Sequence, residues 1–162
     1  MIDFNSKIPG APNFQYIEFI KSDTATRLGI KNIPNNQQLL AIERLAVNVI
    51  QPLRIEFGAI RITSGYRSLK LCLAVGSGST SNHIKGEAAD IEPVDTSVSL
   101  FEMLAYIHYN LPHRELIAEY FPNGWVHVAY REGDDSRILK LKDEKHNYQK
   151  VKFEYLEGIY GV

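Results

Sequence analysis

Two histidines and one aspartate carry the clearest chemistry in this chain. Asp90 follows His83 by seven residues with Gly86 between them, in a passage that reads as a loop running into a strand. His127 comes 37 residues after Asp90 in a β-rich segment. Two imidazoles and a carboxylate form a borderline ligand set that suits zinc, and three protein ligands leave a fourth position open for water. An open position is what catalysis needs. Cys72 is the only cysteine, which excludes an internal disulfide and any multi-cysteine zinc site.

Residues 81 to 90, SNHIKGEAAD, fit a Ser-x-His-x-x-Gly-x-Ala-x-Asp pattern, with SGYRS at 64 to 68 before it and GWVHV at 124 to 128 after it. In these motifs and their order the chain resembles the zinc D-alanyl-D-alanine carboxypeptidases. The likeness extends upstream through TATRLGIKNIP, covers roughly residues 14 to 130, and is nearest to the small phage-type lysins. It implies a fold shared with hedgehog-like domains, one zinc ion per chain on His83, Asp90 and His127, and hydrolysis of peptide bonds in the stem peptides of peptidoglycan.

Hydrolysis also requires a general base for the attacking water, whose pKa a metal lowers toward about 7. Pro122-Asn123-Gly124 fits a three-residue hairpin loop, which would pair Phe121 with Trp125 and set Glu119 directly opposite His127. A two-residue loop would instead turn Glu119 away. Many family members carry this glutamate three residues before the last histidine ligand, where Gly124 stands here, whereas hedgehog-like and phage-type relatives carry it further back, in agreement with Glu119. Some carboxypeptidases also have a histidine where this chain has Trp125. Arg67 matches the family arginine taken to hold a substrate carboxylate or carbonyl, a task suited to a planar guanidinium. Ser81 is expected to order the ligand loop beside the substrate, and Trp125 to line the cleft. Glu87, Glu92, Glu115, His108, His113 and His146 have no spacing that draws them to the metal and read as structural or solvated. The rival reading is a non-catalytic metal-binding module of hedgehog type, against which Glu119 argues.

The elements that must position these residues follow from periodicity. Residues 1 to 13 read as an irregular arm, followed by a short helix near Phe14 to Lys21. Leu39, Ile42, Ala46, Val49 and Leu53 form one apolar stripe and predict a helix from about Asn36 to Phe57, stopped by Gly58 and kinked or cut short at Pro52. A strand is expected over Ala59 to Thr63, a helix over Ser68 to Val75, a loop over 76 to 82 and a strand over Ala88 to Glu92. Ser99 and Glu102 form a capping box that opens a helix ending near Tyr109. Glu115 to Phe121, Trp125 to Tyr130, Ile138 to Leu141 and Val151 to Leu156 are short and rich in β-formers. Helices early and strands late predict an α+β fold, a small and mainly antiparallel sheet with helices packed against it, in one domain over 1 to 162. Residues 131 to 162 form an extension beyond the family-like core.

Composition narrows the partners. Lys and Arg together number 18 against 19 Asp and Glu, so the formal charge of −1 makes no case for nucleic acid or an anionic membrane. No run of about 18 apolar residues predicts membrane insertion. The opening segment lacks the charged and apolar regions of a secretory signal, so the expectation is synthesis in the cytoplasm and action at the cell wall after phage-mediated release or as a virion component.

Overall fold

The computed structural model describes residues 2–161. The arm expected to be irregular forms a two-stranded antiparallel ribbon, β1 (Lys7–Ile8) and β2 (Ala11–Gln15), because Gly10 turns the chain at φ 80° and lets Ile8, Ala11 and Phe14 reach the core. Helix α1 (Tyr16–Ile20) follows, then α2 (Asp23–Leu28), which periodicity over so short a span did not disclose. Its limits are local: Ser22 Oγ accepts the Ala25 N–H, and Gly29 ends the helix in the left-handed region.

The long helix does run from Asn36 to Phe57, in three stretches: α3 (Asn36–Leu45), a π-helical turn over Ala46–Ile50, and α4 (Gln51–Phe57). Pro52 can give no N–H to the carbonyl of Asn48, and its ring crowds that carbonyl. The wider turn absorbs the misfit through bonds such as Gln51 N–H to Ala46 O, so the regular α-helix gives way to a π-turn before the proline while the chain stays helical through it.

Beyond Gly58 come β3 (Ile60–Ser64), α5 (Leu69–Ala74), a 3-10 turn (Asn82–Lys85), β4 (Ala88–Pro93), α6 (Leu100–Asn110), β5 (Glu115–Glu119), β6 (Trp125–Ala129), β7 (Ile138–Lys142), β8 (Tyr148–Lys150) and α7 (Phe153–Tyr160). The fold is α+β, with a six-stranded sheet in the order β3-β4-β6-β5-β7-β8 in which only the β5–β7 pair is parallel. Val151 to Leu156, read as β-rich, mostly belongs to helix α7 instead. Phe153, Leu156 and Tyr160 recur at three- and four-residue steps, and the first two are buried.

Alternation along the strands separates two faces. Ile60, Ile62, Ala89, Ile91, Val126, Val128, Leu116, Ala118 and Leu139 point into the core under the long helix and α6. Burying each of the larger of these side chains contributes about 1.5–3 kcal/mol, which holds the sheet flat against the helices. The residues between them, including Asp90, His127, Glu115, Glu119, Lys140 and Lys142, therefore share the opposite face.

Candidate metal centre and cleft

That opposite face floors a cleft of about 1290 Å³, walled by the α5–β4 connection on one side and by β7, His146 and Tyr148 on the other. Asp90 and His127 are direct partners across the β4–β6 pair, so their side chains emerge side by side on one face. His83 arrives from the 3-10 turn, which begins where Ser81 Oγ accepts the His83 N–H and ends at Gly86 with φ 74°. All three side chains are buried.

The three donor atoms converge. His83 Nε2 lies 3.3 Å from Asp90 Oδ1 and 3.2 Å from His127 Nδ1, and His127 Nδ1 lies 2.8 Å from Asp90 Oδ1. His83 Nδ1 sits 2.6 Å from the Gly65 carbonyl, which only a donor can face, so in the neutral ring Nε2 presents a lone pair to the other two groups. Burial pushes the His83 imidazole below its usual range. Burial works in the opposite sense on Asp90, but His83 and His127 outweigh it and hold the carboxyl well below the ordinary carboxylate range. A His83 imidazole disposed to be neutral beside an ionised Asp90 carboxylate suits a divalent metal, whose ligands must be deprotonated. Tetrahedral bonds of about 2.0–2.1 Å set ligand atoms about 3.3 Å apart, which matches the two His83 spacings, while the His127–Asp90 spacing of 2.8 Å is shorter. The residues fit a zinc-sized ion.

Arg67 reaches this cluster from the loop after β3. Its Nη2 pairs with Asp90 Oδ2 at 2.6 Å and its Nε donates to Ser64 Oγ at 2.8 Å, while Nη1 has only a 3.5 Å contact with Ser77. The fork expected for substrate is thus partly engaged by Ser64 and Asp90. Ser81 caps the His83 turn as well as lining the cleft. Trp125 lines the cleft too, with its indole packed edge-on to Tyr120.

The hairpin register differs from expectation. Five residues, 120 to 124, connect β5 to β6, so Glu119 pairs with Trp125 and Ile117 is the residue opposite His127. Glu119 stands one diagonal step from His127, still on the cleft face. A shift of two residues preserves which face each side chain occupies, so hydrophobic alternation cannot tell a three-residue loop from a five-residue one. The longer loop is closed by Asn123 N–H to Tyr120 O, and Tyr120 N–H bonds to Lys142 O on β7 rather than to β6.

Glu115 and His146, set aside in the sequence, also line the cleft. Glu115 pairs with Lys140, accepts from Asn82 Nδ2 at 3.3 Å, and has Oε1 3.7 Å from His127 Nε2. Glu119 pairs with Lys142 at 2.7 Å, and that ammonium lies 5.0 Å from the ring centroids of both Tyr120 and Tyr148. The alternating ILKLK of β7 was a visible signal for two cations on one strand face, but nothing in it named β5 as the neighbour. The other residues set aside stay clear of the cluster: Glu87 pairs with Arg131, Glu92 with Arg61, and His108 stacks on Phe153 beside His113.

An α+β domain with two histidines and an aspartate converging on the floor of an open cleft has the donor set of a metal-dependent hydrolase. The family model described as Peptidase M15 matches residues 12–129, and the chain belongs to that family. No curated protein matches the chain. Membership makes it a peptidase acting on a peptide substrate, and no helix among the described residues is long and apolar enough to cross a membrane.

Proposed function

We propose that the chain is a zinc peptidase that hydrolyses peptide bonds in the stem peptides of peptidoglycan, as a carboxypeptidase or endopeptidase of phage or prophage lysin type. The observation that carries this reading is the convergence of His83, Asp90 and His127 on the floor of a cleft of about 1290 Å³, in a chain of this family. These three residues would hold zinc, which supplies Lewis-acid polarisation of a carbonyl and acidifies water. Glu119 takes the proton from the attacking water and passes it to the departing amine. Its diagonal position suits a side chain of this length, since diagonal neighbours on one sheet face lie about 7–8 Å apart at Cα. Lys142 holds the carboxylate in place. Arg67 orders the Asp90 carboxylate and offers Nη1 to a substrate carboxylate or carbonyl. Trp125 and Ser81 border the bound peptide. On this reading the enzyme acts at the cell wall, after release during lysis or as part of a virion.

The test is hydrolysis of purified peptidoglycan with zinc supplied, with a chelator, and with His83→Ala, Asp90→Ala and His127→Ala, alongside metal analysis of each protein. New amine termini that appear with zinc and vanish with chelator and in all three variants are the expected result. One zinc per chain without turnover on any peptide would instead leave a non-catalytic metal module, and full zinc in any variant would remove that residue from the site.

A further inference from the structure

We propose that Glu115 is a positioning residue for His127, accepting the proton on Nε2 and thereby fixing which nitrogen of that ring faces the donor cluster. This rests on the reading that His83, Asp90 and His127 hold zinc.

His127 turns Nδ1 toward Asp90 and His83, and when a metal takes the Nδ1 lone pair, Nε2 on the far side of the ring carries the proton. Nε2 is buried and has no hydrogen-bond partner within ordinary distance. A buried imidazole N–H without an acceptor is unfavourable by about 1–3 kcal/mol, so the group nearest to supplying one matters. That group is Glu115, whose Oε1 stands 3.7 Å away and needs to move less than about 1 Å to accept the bond.

Glu115 is itself restrained from two directions. Asn82 donates to Oε1 and Lys140 pairs with Oε2. Asn82 precedes His83 in the 3-10 turn, so one carboxylate links the element carrying the first histidine to the strand beside the second. Lys140 comes from β7, which lies beyond the family-matched residues 12–129, and the parallel β5–β7 register sets it opposite Ile117 on the cleft face. Residues past the family core thus reach back to steady the centre. Glu115 is unsuited to the base's task, because it meets the side of the His127 ring that faces away from the cluster.

Zinc affinity is measured by competition with a chromophoric chelator for wild type, Glu115→Gln and Glu115→Leu, and imidazole 1H–15N spectra are recorded on each zinc-loaded protein. Loss of such an outer carboxylate typically weakens metal binding about 10- to 100-fold, so that range is expected for Glu115→Leu, with a smaller loss for Glu115→Gln, whose amide oxygen still accepts. In wild type, His127 Nε2 should carry a slowly exchanging proton whose signal moves in Glu115→Gln and broadens in Glu115→Leu. A folded Glu115→Leu within twofold of wild-type affinity overturns the inference, as does zinc-loaded wild type with no proton on His127 Nε2. If Glu115→Leu does not fold, Glu115→Gln decides: wild-type affinity together with an unmoved Nε2–H signal overturns the inference. Wild type that takes up no zinc removes the metal reading and this inference together.

Discussion

Gly86 is the position where one added carbon should act most directly on the site. Its φ of 74° lies in the left-handed region, and a Cβ there would stand 2.5 Å from the backbone oxygen of Gln38 and 3.3 Å from the Ile42 side chain. The left-handed penalty for a non-glycine residue is about 1–2 kcal/mol. Overpacking against a fixed helix backbone adds about 1–3 kcal/mol, so Gly86→Ala should destabilise the fold by about 2–5 kcal/mol. Gly29→Ala is the internal control, because Gly29 has φ 61° but no atom within 4 Å of its added Cβ, leaving about 1–2 kcal/mol of backbone penalty alone. The gain from restricting the unfolded chain is common to both variants and cancels in the comparison. Urea unfolding of the metal-free proteins, read at unchanged m-value, gives the difference directly. The Gly86 turn also carries His83 and is tied to α3 by Gln38 Nε2 donating to Ile84 O, so strain relieved by moving the turn should weaken zinc binding as well. Equal destabilisation by the two alanines, within about 0.5 kcal/mol, would refute the argument that close approach to α3 is what requires glycine here.

Glu119→Gln should keep fold and zinc yet lower turnover by about 10²- to 10⁴-fold, whereas Glu115→Gln at saturating zinc should keep most of its turnover; paired kinetics and metal analysis check both. Arg67→Lys should fold and still neutralise Asp90, but a point charge cannot hold Ser64 and Asp90 while facing substrate, so KM should rise more than kcat falls in steady-state assays. Ser99→Ala removes both the Ser99 Oγ acceptor for Glu102 N–H and its bond to the Glu102 carboxylate, and should destabilise α6 by about 1 kcal/mol in urea unfolding with hydrolysis unchanged.

What was legible in the chain depended on the range of the interaction that decides it. The Ser99–Glu102 capping box lies within one turn and marks the start of α6 from sequence alone. The stripe from Leu39 to Leu53 is long enough to specify a helix whichever partner covers it, and the SNHIKGEAAD segment folds as a turn into a strand because Gly86 and the alternating residues after it are local devices. Pro52 was a true local signal of irregularity, and the form it takes is a π-turn just before the proline, in a helix buried along Leu45, Val49 and Leu53. The Val151 to Leu156 segment failed for the opposite reason, since Phe153 and Leu156 satisfy a helical step in a stretch whose composition also favours strand, and only contact with the core decides.

The carboxylates show where local reasoning stops. Alternation guarantees that Glu115, Ile117 and Glu119 share a face with His127, and it does so for a three-residue or a five-residue hairpin alike. Which of the three stands opposite His127 is set by the connection, and the connection is set partly from outside the hairpin, because β7 pairs with β5 through Glu119 and takes the Tyr120 N–H. Since Ile117 occupies the opposing position, the two glutamates straddle His127 on opposite diagonals, each held by its own lysine. That symmetry of placement does not carry into chemistry, because the ring between them is asymmetric. Nδ1 faces the donor cluster and Nε2 faces Glu115, so on the proposed reading the base is Glu119, the β5 carboxylate that does not meet the far side of that ring, although it is buried and paired with Lys142.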